Sequence, residues 1–383
     1  MAKYKLDDLC EFITDGTHQT PEYCDGGGVI FLSSKDVTER KINWDNVKHI
    51  PYSLHEKLCK RLNPRKDDIL LAKNGTTGVA AIVDRDEVFD VYVSLALLRP
   101  LDTIYPRYLL YAINSPIAKR QFNAGLKGIG VPNLHLGVIR KTVINVADRE
   151  EQEKICEILD KVATVIDNRK TELDELDNLI KARFVELFGD FDLSHPKTNW
   201  KPISEIGTVV GGATPKTSVE EYWNGEYRWI SPAELRQDSG VIYDSIKKIT
   251  RAGIDSCSLQ ELPIGTVILS SRAPIGKVAI AGNTFYCNQG FKNIVCKENI
   301  IPRYLYSLLL FNTDYLNSLG RGATFKEISK SIVEKILIPV PAKKIQIEFE
   351  NFCSRIDKSK VAVQKALDET QMLFDSLMQK YFG

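Results

Sequence analysis

The sequence predicts a duplicated protein of mixed helix and strand, laid out as globe, rod, globe, rod. Three observations carry that expectation. The first is residues 150–189, where Ile155, Ile158/Leu159, Val162, Val165/Ile166, Leu173, Leu176, Ile180, Phe184 and Leu187 recur at three-then-four spacing, interrupted once near Arg169. No proline breaks the run, and Gly189 closes it as a helix stop. About forty residues at ~1.5 Å each make a rod of roughly 60 Å. A stripe of that kind needs a partner helix.

The second observation supplies the partner in residues 344–383. With Gln152 set on Gln346, Ile155 falls on Phe349, Ile158 on Phe352 and Val162 on Ile356. Leu173 falls on Leu367, Ile180 on Phe374, and Phe188-Gly189 on Phe382-Gly383, without a gap. The third observation is that the globes repeat as well. ILLAKNGTTGVAA (69–81) matches VILSSRAPIGKVA (267–279), and PRYLLYAINSP (106–116) matches PRYLYSLLLFN (302–312). GIGVPNL (128–134) matches GATFKEI (322–328), and IRKTVINVA (139–147) matches VEKILIPVP (333–341). Blocks recurring in one order at nearly one offset indicate internal duplication.

Taken in order, the first globe opens with an amphipathic segment, KLDDLCEFI, followed by the polar loop TDGTHQTPEY (14–23) with Asp15-Gly16 and Thr20-Pro21 as turn signals. Thr14, Gly16, Thr17 and His18 on this loop suit base-edge readout or local backbone capping; His18 is equally a structural histidine of an Asx-type turn. GGGVIFLSSKDV (26–37) predicts a glycine-rich turn, a buried strand and a polar turn carrying Lys35. Residues 67–83 predict a hairpin whose tip bears Lys73, Asn74, Thr76 and Thr77, a probe for a DNA groove. Residues 105–125 predict a helix broken at Pro116. A glycine loop with Lys127 and Asn133 follows, then a strand-forming run to Ile139.

Residues 190–200 form a linker. In the second globe Gly211-Gly212 and Thr214-Pro215-Lys216 answer TDGTHQTP, with Trp223 and Trp229 expected in the core and a stacking role for either as the alternative. Hairpin 269–281 places Arg272 beside Ser271, which answers Lys73, and also carries Lys277. NQGFKNIV adds Gln289 and Lys292, and RGATFKEI adds Arg321, Thr324 and Lys326.

Net charge is only +1, but its distribution is uneven. Residues 103–147 hold no acid, against Arg107, Lys119, Arg120, Lys127, Arg140 and Lys141; residues 262–297 hold none, against Arg272, Lys277, Lys292 and Lys297. The first rod carries compensating acids such as Glu150, Glu151, Glu153 and Glu157. Basic globe faces fit phosphate contact, and solvated charges with no common face are the plain alternative. The eight cysteines form no C-x-x-C pair, so reduced thiols are expected and no metal. There is no N-terminal apolar core of a leader and no apolar run of membrane-spanning length, so a cytoplasmic protein is expected.

Catalytic constellations are missing. There is no N-P-P-[FY], no Walker loop, no H-E-x-x-H and no G-x-S-x-G. GTTG lacks the following Gly-Lys-Ser/Thr, and the GIG of the glycine loop runs into Val-Pro where a helix should begin.

The chain resembles the specificity subunits of Type I restriction–modification systems over essentially its whole length. The motifs that carry this are GTHQTPEY, GGATPK…YW…RWISPAEL, GTVILSSRAPIGKVAI…NQGF and ILIPVP leading into the second rod. The first half departs from the pattern at INVADREEQ, where Pro-x-Pro is usual. The resemblance implies an α+β fold: target-recognition domains at 1–148 and 190–342 (linker included), joined by spacer helices at 149–189 and 343–383. These helices would pack as an antiparallel coiled coil with an internal pseudo-two-fold. It further implies a non-catalytic subunit that reads an asymmetric, gapped site in double-stranded DNA. Two modification subunits would supply S-adenosylmethionine chemistry, and restriction subunits would supply ATP- and Mg-dependent translocation and cleavage, with no cofactor on this chain. A coiled-coil adaptor without its own DNA site, and a nuclease or methyltransferase in its own right, are the competing readings.

Overall fold

A computed structural model describes residues 1–25, 27–38, 40–126, 132–236, 238–272, 274–322 and 326–383. The chain divides into two compact units, residues 1–170 with 365–383, and residues 171–364.

The first unit is built on an antiparallel sheet in the order Cys10–Asp15, Leu95–Pro100, Ile69–Ala72, Ala80–Ile82. Every residue of Ile69–Ala72 is buried, because the sheet is covered on both faces. Side chains alternate across a strand. Ile13, Ile69, Leu71, Ala80, Ala96 and Leu98 therefore enter one apolar cluster, and Leu70, Ala72, Ala81, Leu95 and Leu97 the other. The hairpin expected at 67–83 is present in this pairing. A second sheet sets Val29–Leu32 between Lys48–Ile50, antiparallel, and Phe89–Val91, parallel.

Helices Pro106–Ile113 and Pro116–Ala124 realise the broken helix. Each begins with proline in its first turn, and the Ser115 hydroxyl accepts the Ala118 N–H at 3.3 Å to cap the restart. Two expectations need correction. Thr14 lies in the strand Cys10–Asp15, half-buried opposite Leu97, not in the loop. The run to Ile139 is not a strand: Leu136–Lys141 is a helix, and the strand is Val143–Val146, paired with Ala2–Lys5. Leu136 and Ile139 stand three apart, which suits one helical face, and the Thr142 hydroxyl donates back to the Val138 carbonyl.

The second unit repeats the plan. Gly207–Gly211, Lys292–Cys296, Val267–Leu269 and Val278–Ala281 form the antiparallel sheet, to which Asp238–Ile242 adds in parallel. Trp223–Ile230 pairs with Lys247–Ile249 and with Tyr286–Cys287. Trp229 is buried, and the rings of Trp223 and Trp229 meet edge-on at 5.1 Å.

Two 40-residue helices, Arg149–Phe188 and Lys343–Phe382, contribute to both units. In the first unit Ile155, Leu159 and Ile166 join Phe374, Met378 and Phe382 in the core beneath Tyr108. In the second, Phe184 meets Phe349 at 5.5 Å and stacks on Tyr304 at 5.7 Å. There Arg183 pairs with Glu348 and Asp177 with Lys360, both at 2.5 Å, so the helices run antiparallel. The stripe chooses between adjacent candidates: Leu159 and Ile166 are buried, whereas Ile158 and Val165 are exposed. Gln152 and Gln346 are the duplicated polar anchors. Gln152 Oε1 accepts the Tyr105 N–H at 2.8 Å and its amide donates to the Ala147 carbonyl at 2.9 Å. Gln346 does the same with the Ile301 N–H and the Pro341 carbonyl, both at 2.8 Å. Among the described residues no helix is long and apolar enough to cross a membrane.

Phe184 is 2% exposed, and its ring neighbours are Phe188, Tyr304, Phe311 and Phe349. Phe184→Ala leaves a cavity there, and the expected loss is about 3–5 kcal/mol. A urea midpoint unmoved by the substitution would contradict this packing.

Candidate nucleic-acid interface

The loops that the sequence singles out are pinned by backbone hydrogen bonds, and the same bonds occur in both units. The Thr17 N–H donates to the Val91 carbonyl at 3.1 Å, and the Ala213 N–H to the Cys287 carbonyl at 3.0 Å. The Tyr92 N–H donates to Leu32 O at 2.9 Å, and the Asn288 N–H to Ile230 O at 3.0 Å. The Lys73 N–H donates to Ser94 O and the Ser271 N–H to Gly290 O, each at 2.8 Å. The Leu134 N–H donates to Lys73 O at 2.8 Å, and the Ile328 N–H to Ser271 O at 2.9 Å. Close approach requires glycine in each first loop. A Cβ on Gly16 would lie 1.8 Å from the Val91 carbonyl oxygen, and one on Gly212 would lie 2.2 Å from the Cys287 and Asn288 oxygens. Gly16 therefore positions the loop through its close approach to the Val91 carbonyl.

In the first unit this frame gathers Thr17, His18, Lys73, Asn74, Thr76 and Asn133. Lys73 is the main correction. It is buried at 6% exposure, its ammonium 2.6 Å from Asp15 Oδ2, so it is not a free probe at the hairpin tip. A lysine at the end of a fully buried strand needs an acid beside it. Burial pushes the Asp15 carboxyl up, but the Lys73 ammonium, and then His18, outweigh this and hold it below its ordinary value. Arg61, unremarked in the sequence, donates to Asp15 O at 2.7 Å and Gly16 O at 3.3 Å. Nothing local in the sequence points to it, because its partners lie some 45 residues earlier in the chain.

His18 is exposed, with Nε2 3.3 Å from Asp15 Oδ1. The Thr20 hydroxyl lies 3.3 Å from the Tyr92 hydroxyl, and the Gln19 N–H donates to the Thr17 hydroxyl. Asn74 accepts the Ser34 hydroxyl at 3.0 Å, and Thr76 donates to the Ser34 and Val37 carbonyls. Lys35 is exposed on the short turn Ser34–Asp36, and Thr77 is half-buried. Lys127 lies outside the described residues.

In the second unit Thr214 hydrogen-bonds Gln289, and Lys216 is exposed. Arg272 Nε donates to Glu327 Oε2 at 3.0 Å, and Lys292 Nζ lies 3.3 Å from Glu327 Oε1. Glu327, which sequence reasoning passed over, thus ties two of the predicted cations together. Lys277 is corrected: it is half-buried, and its ammonium donates to the Pro232 and Leu235 carbonyls at 3.1 and 2.5 Å, closing a loop end. Arg321 and Lys326 are exposed, with Arg321 bridged to Glu327 through the backbone; Thr324 lies outside the described residues.

Burial pushes the thiols of Cys10, Cys156, Cys287, Cys296 and Cys353 up to about 12, so they stay protonated at neutral pH. All eight cysteines are unpaired, and among the described residues no group of three or more His, Cys, Asp or Glu could hold a metal. Among the described residues the frame offers hydroxyls, amides, guanidinium groups and ammonium groups, a set suited to base edges and phosphates.

The chain matches the family described as Type I restriction modification DNA specificity domain over residues 1–178 and 197–370. It is 38% identical over 184 residues to the Type I restriction enzyme MjaIX specificity subunit of Methanocaldococcus jannaschii, covering 47% of this chain and 43% of that one. An Escherichia coli Type I restriction enzyme specificity subunit is 28% identical over 199 residues, covering 50% of this chain and 48% of that one. The match spans about half the length of these two relatives. Among solved structures, the S subunit of a Type I system from M. genitalium superposes with a TM-score of 0.57 at 15% identity, over 100% of this chain and 96% of that one. A chain from a Type I system studied for complex assembly and conformational transition gives 0.57 at 16%, over 99% and 97%. At these identities the likeness is one of fold.

Removing the Lys73 ammonium leaves the Asp15 carboxylate buried with only the exposed side chains of His18 and Arg61 beside it, at 3.3 and 3.5 Å. Lys73→Ala is expected to destabilise the fold by about 3–5 kcal/mol, and His18→Ala by no more than about 0.5 kcal/mol. The Asp15 carboxyl is depressed in the folded chain. The pair's contribution is therefore complete above the unfolded aspartate value of about 4 and lost as pH falls through the lower folded value. Denaturation profiles of both variants between neutral and acid pH check this. A Lys73→Ala chain as stable as the parent at pH 7 would refute it.

Proposed function

The chain belongs to the Type I restriction–modification DNA specificity family, and on that premise we propose that it selects the DNA sequence on which a larger complex acts. Each unit reads one half of an asymmetric, interrupted duplex site. The long helices set the interruption and carry two modification subunits together with restriction subunits. The chain performs no chemistry itself; S-adenosylmethionine, ATP and magnesium belong to those partners.

The observation that supports this reading most is one backbone frame used twice with different side chains. Thr17 and His18 stand where Ala213 and Thr214 stand in the second unit, and Lys73 where Ser271 stands. A shared frame presents loops alike, and unlike side chains on it recognise unlike sequences. Exposed Lys35, Lys216, Arg321 and Lys326 suit phosphate contact, which positions a protein on duplex DNA without specifying sequence. Apolar side chains left exposed on the long helices, including Leu179, Val361 and Met372, suit a docked protein partner.

The test is to map methylated adenines in host DNA with and without the chain. The expected result is methylation at one asymmetric, gapped motif that vanishes on deletion and changes in a single half when residues 17–20 are exchanged. Methylation indifferent to deletion, or both halves altered by that exchange, would overturn the reading. Binding to the motif should also weaken steeply as salt rises.

A further inference from the structure

We propose that Arg272 reads a guanine in the half-site taken by the second unit, with Glu327 as its positioning residue. The inference rests on the DNA-reading role proposed above and adds a base identity to it.

Arg272 is exposed at 48%, yet its guanidinium has a set orientation, because Nε donates to Glu327 Oε2 at 3.0 Å. Among the described residues its two terminal nitrogens have no partner, so the end-on fork of the guanidinium remains open. Two parallel N–H groups at that fork match the O6 and N7 acceptors of guanine in the major groove. No other base presents two acceptors there.

Both residues are held at the backbone. Arg272 and Glu327 face one another in an antiparallel bridge, Arg321 and Glu327 exchange N–H···O bonds at 3.1 and 2.9 Å, and the Ile328 N–H donates to Ser271 O at 2.9 Å. Glu327 is itself braced from the other side. Its Oε1 lies 3.3 Å from Lys292 Nζ, which also lies 3.3 Å from the Ser271 hydroxyl and 3.5 Å from Gln289 O. An arginine whose rotamer is fixed by such a shell loses little freedom on binding.

The carboxylate also decides between base and phosphate. A phosphate oxygen drawn to Arg272 would sit beside the Glu327 carboxylate, a like-charge contact that costs energy. The neutral acceptors of guanine incur no such repulsion. Two cations and one acid leave the patch net positive, which keeps it attractive to a polyanion at longer range.

The experiment uses the full chain with its modification subunits and a randomised double-stranded DNA pool, comparing the parent with Arg272→Gln, Glu327→Ala and Glu327→Gln. The parent is expected to enrich a motif with a guanine in one half. Arg272→Gln should lose preference for that guanine by about 10- to 100-fold while every other position keeps its preference. Glu327→Ala should weaken the same preference alone, and Glu327→Gln, which retains an oxygen facing Nε, should restore part of it. Arg272 is exposed, so its variant should melt with the parent. Uniform weakening across all sequences would make Arg272 a phosphate contact and overturn the proposal, as would a motif unchanged by Arg272→Gln. Failure of the parent to enrich any motif would overturn the DNA-reading role itself, and this inference with it.

Discussion

Burial of the central sheet on both faces is the constraint from which the rest of each unit follows. A strand covered on two sides has room for apolar side chains only, as in Ile69–Ala72 and Val267–Leu269. Polar groups are thereby pushed to the strand ends, where the chain turns. Both units place loops at those ends, and backbone hydrogen bonds join them and leave side chains free to differ. Where a charge does remain inside, as at Lys73, an acid must meet it, and Asp15 does.

The two units meet that constraint by different chemistry at equivalent positions. In the first, a buried ion pair holds the hairpin against the loop that follows Cys10–Asp15. In the second, Ser271 takes the place of Lys73, its N–H and carbonyl bonded to Gly290 and Ile328. The charges move outward to Arg272, Lys292 and Glu327, where solvent reaches them. One frame thus tolerates either a charged or a neutral residue at this site, provided the backbone bonds are kept.

Much of the architecture was legible in the sequence. Periodicity marked both long helices, and register between copies marked the duplication down to the paired glutamines. The hairpins followed from turn chemistry and the broken helix from Pro116, while the Ser115 cap that restarts it emerged only in the structure. What escaped was set by partners distant in the chain. Lys73 looks like a hairpin-tip residue until Asp15 is placed beside it, and Lys277 looks like a free cation until the Pro232 and Leu235 carbonyls come within reach. The helix Leu136–Lys141 was hidden because six residues show too little of either period to separate helix from strand. Arg61 and Glu327 carry no local signal at all, since each acts on a loop that the chain brings to it from elsewhere.

The core of the first unit includes Phe374, Met378 and Phe382, so part of it is synthesised only after the whole of residues 171–364. When residues 1–170 have left the ribosome, Tyr108, Leu159 and Ile166 still lack part of their cover. The second unit, residues 171–364, has by contrast all of its own core once Gln364 has emerged. Order of synthesis and order of completion are therefore reversed. A chain interrupted between residues 364 and 374 would carry a finished second unit and an unfinished first one, with apolar surface open to chaperones and proteases.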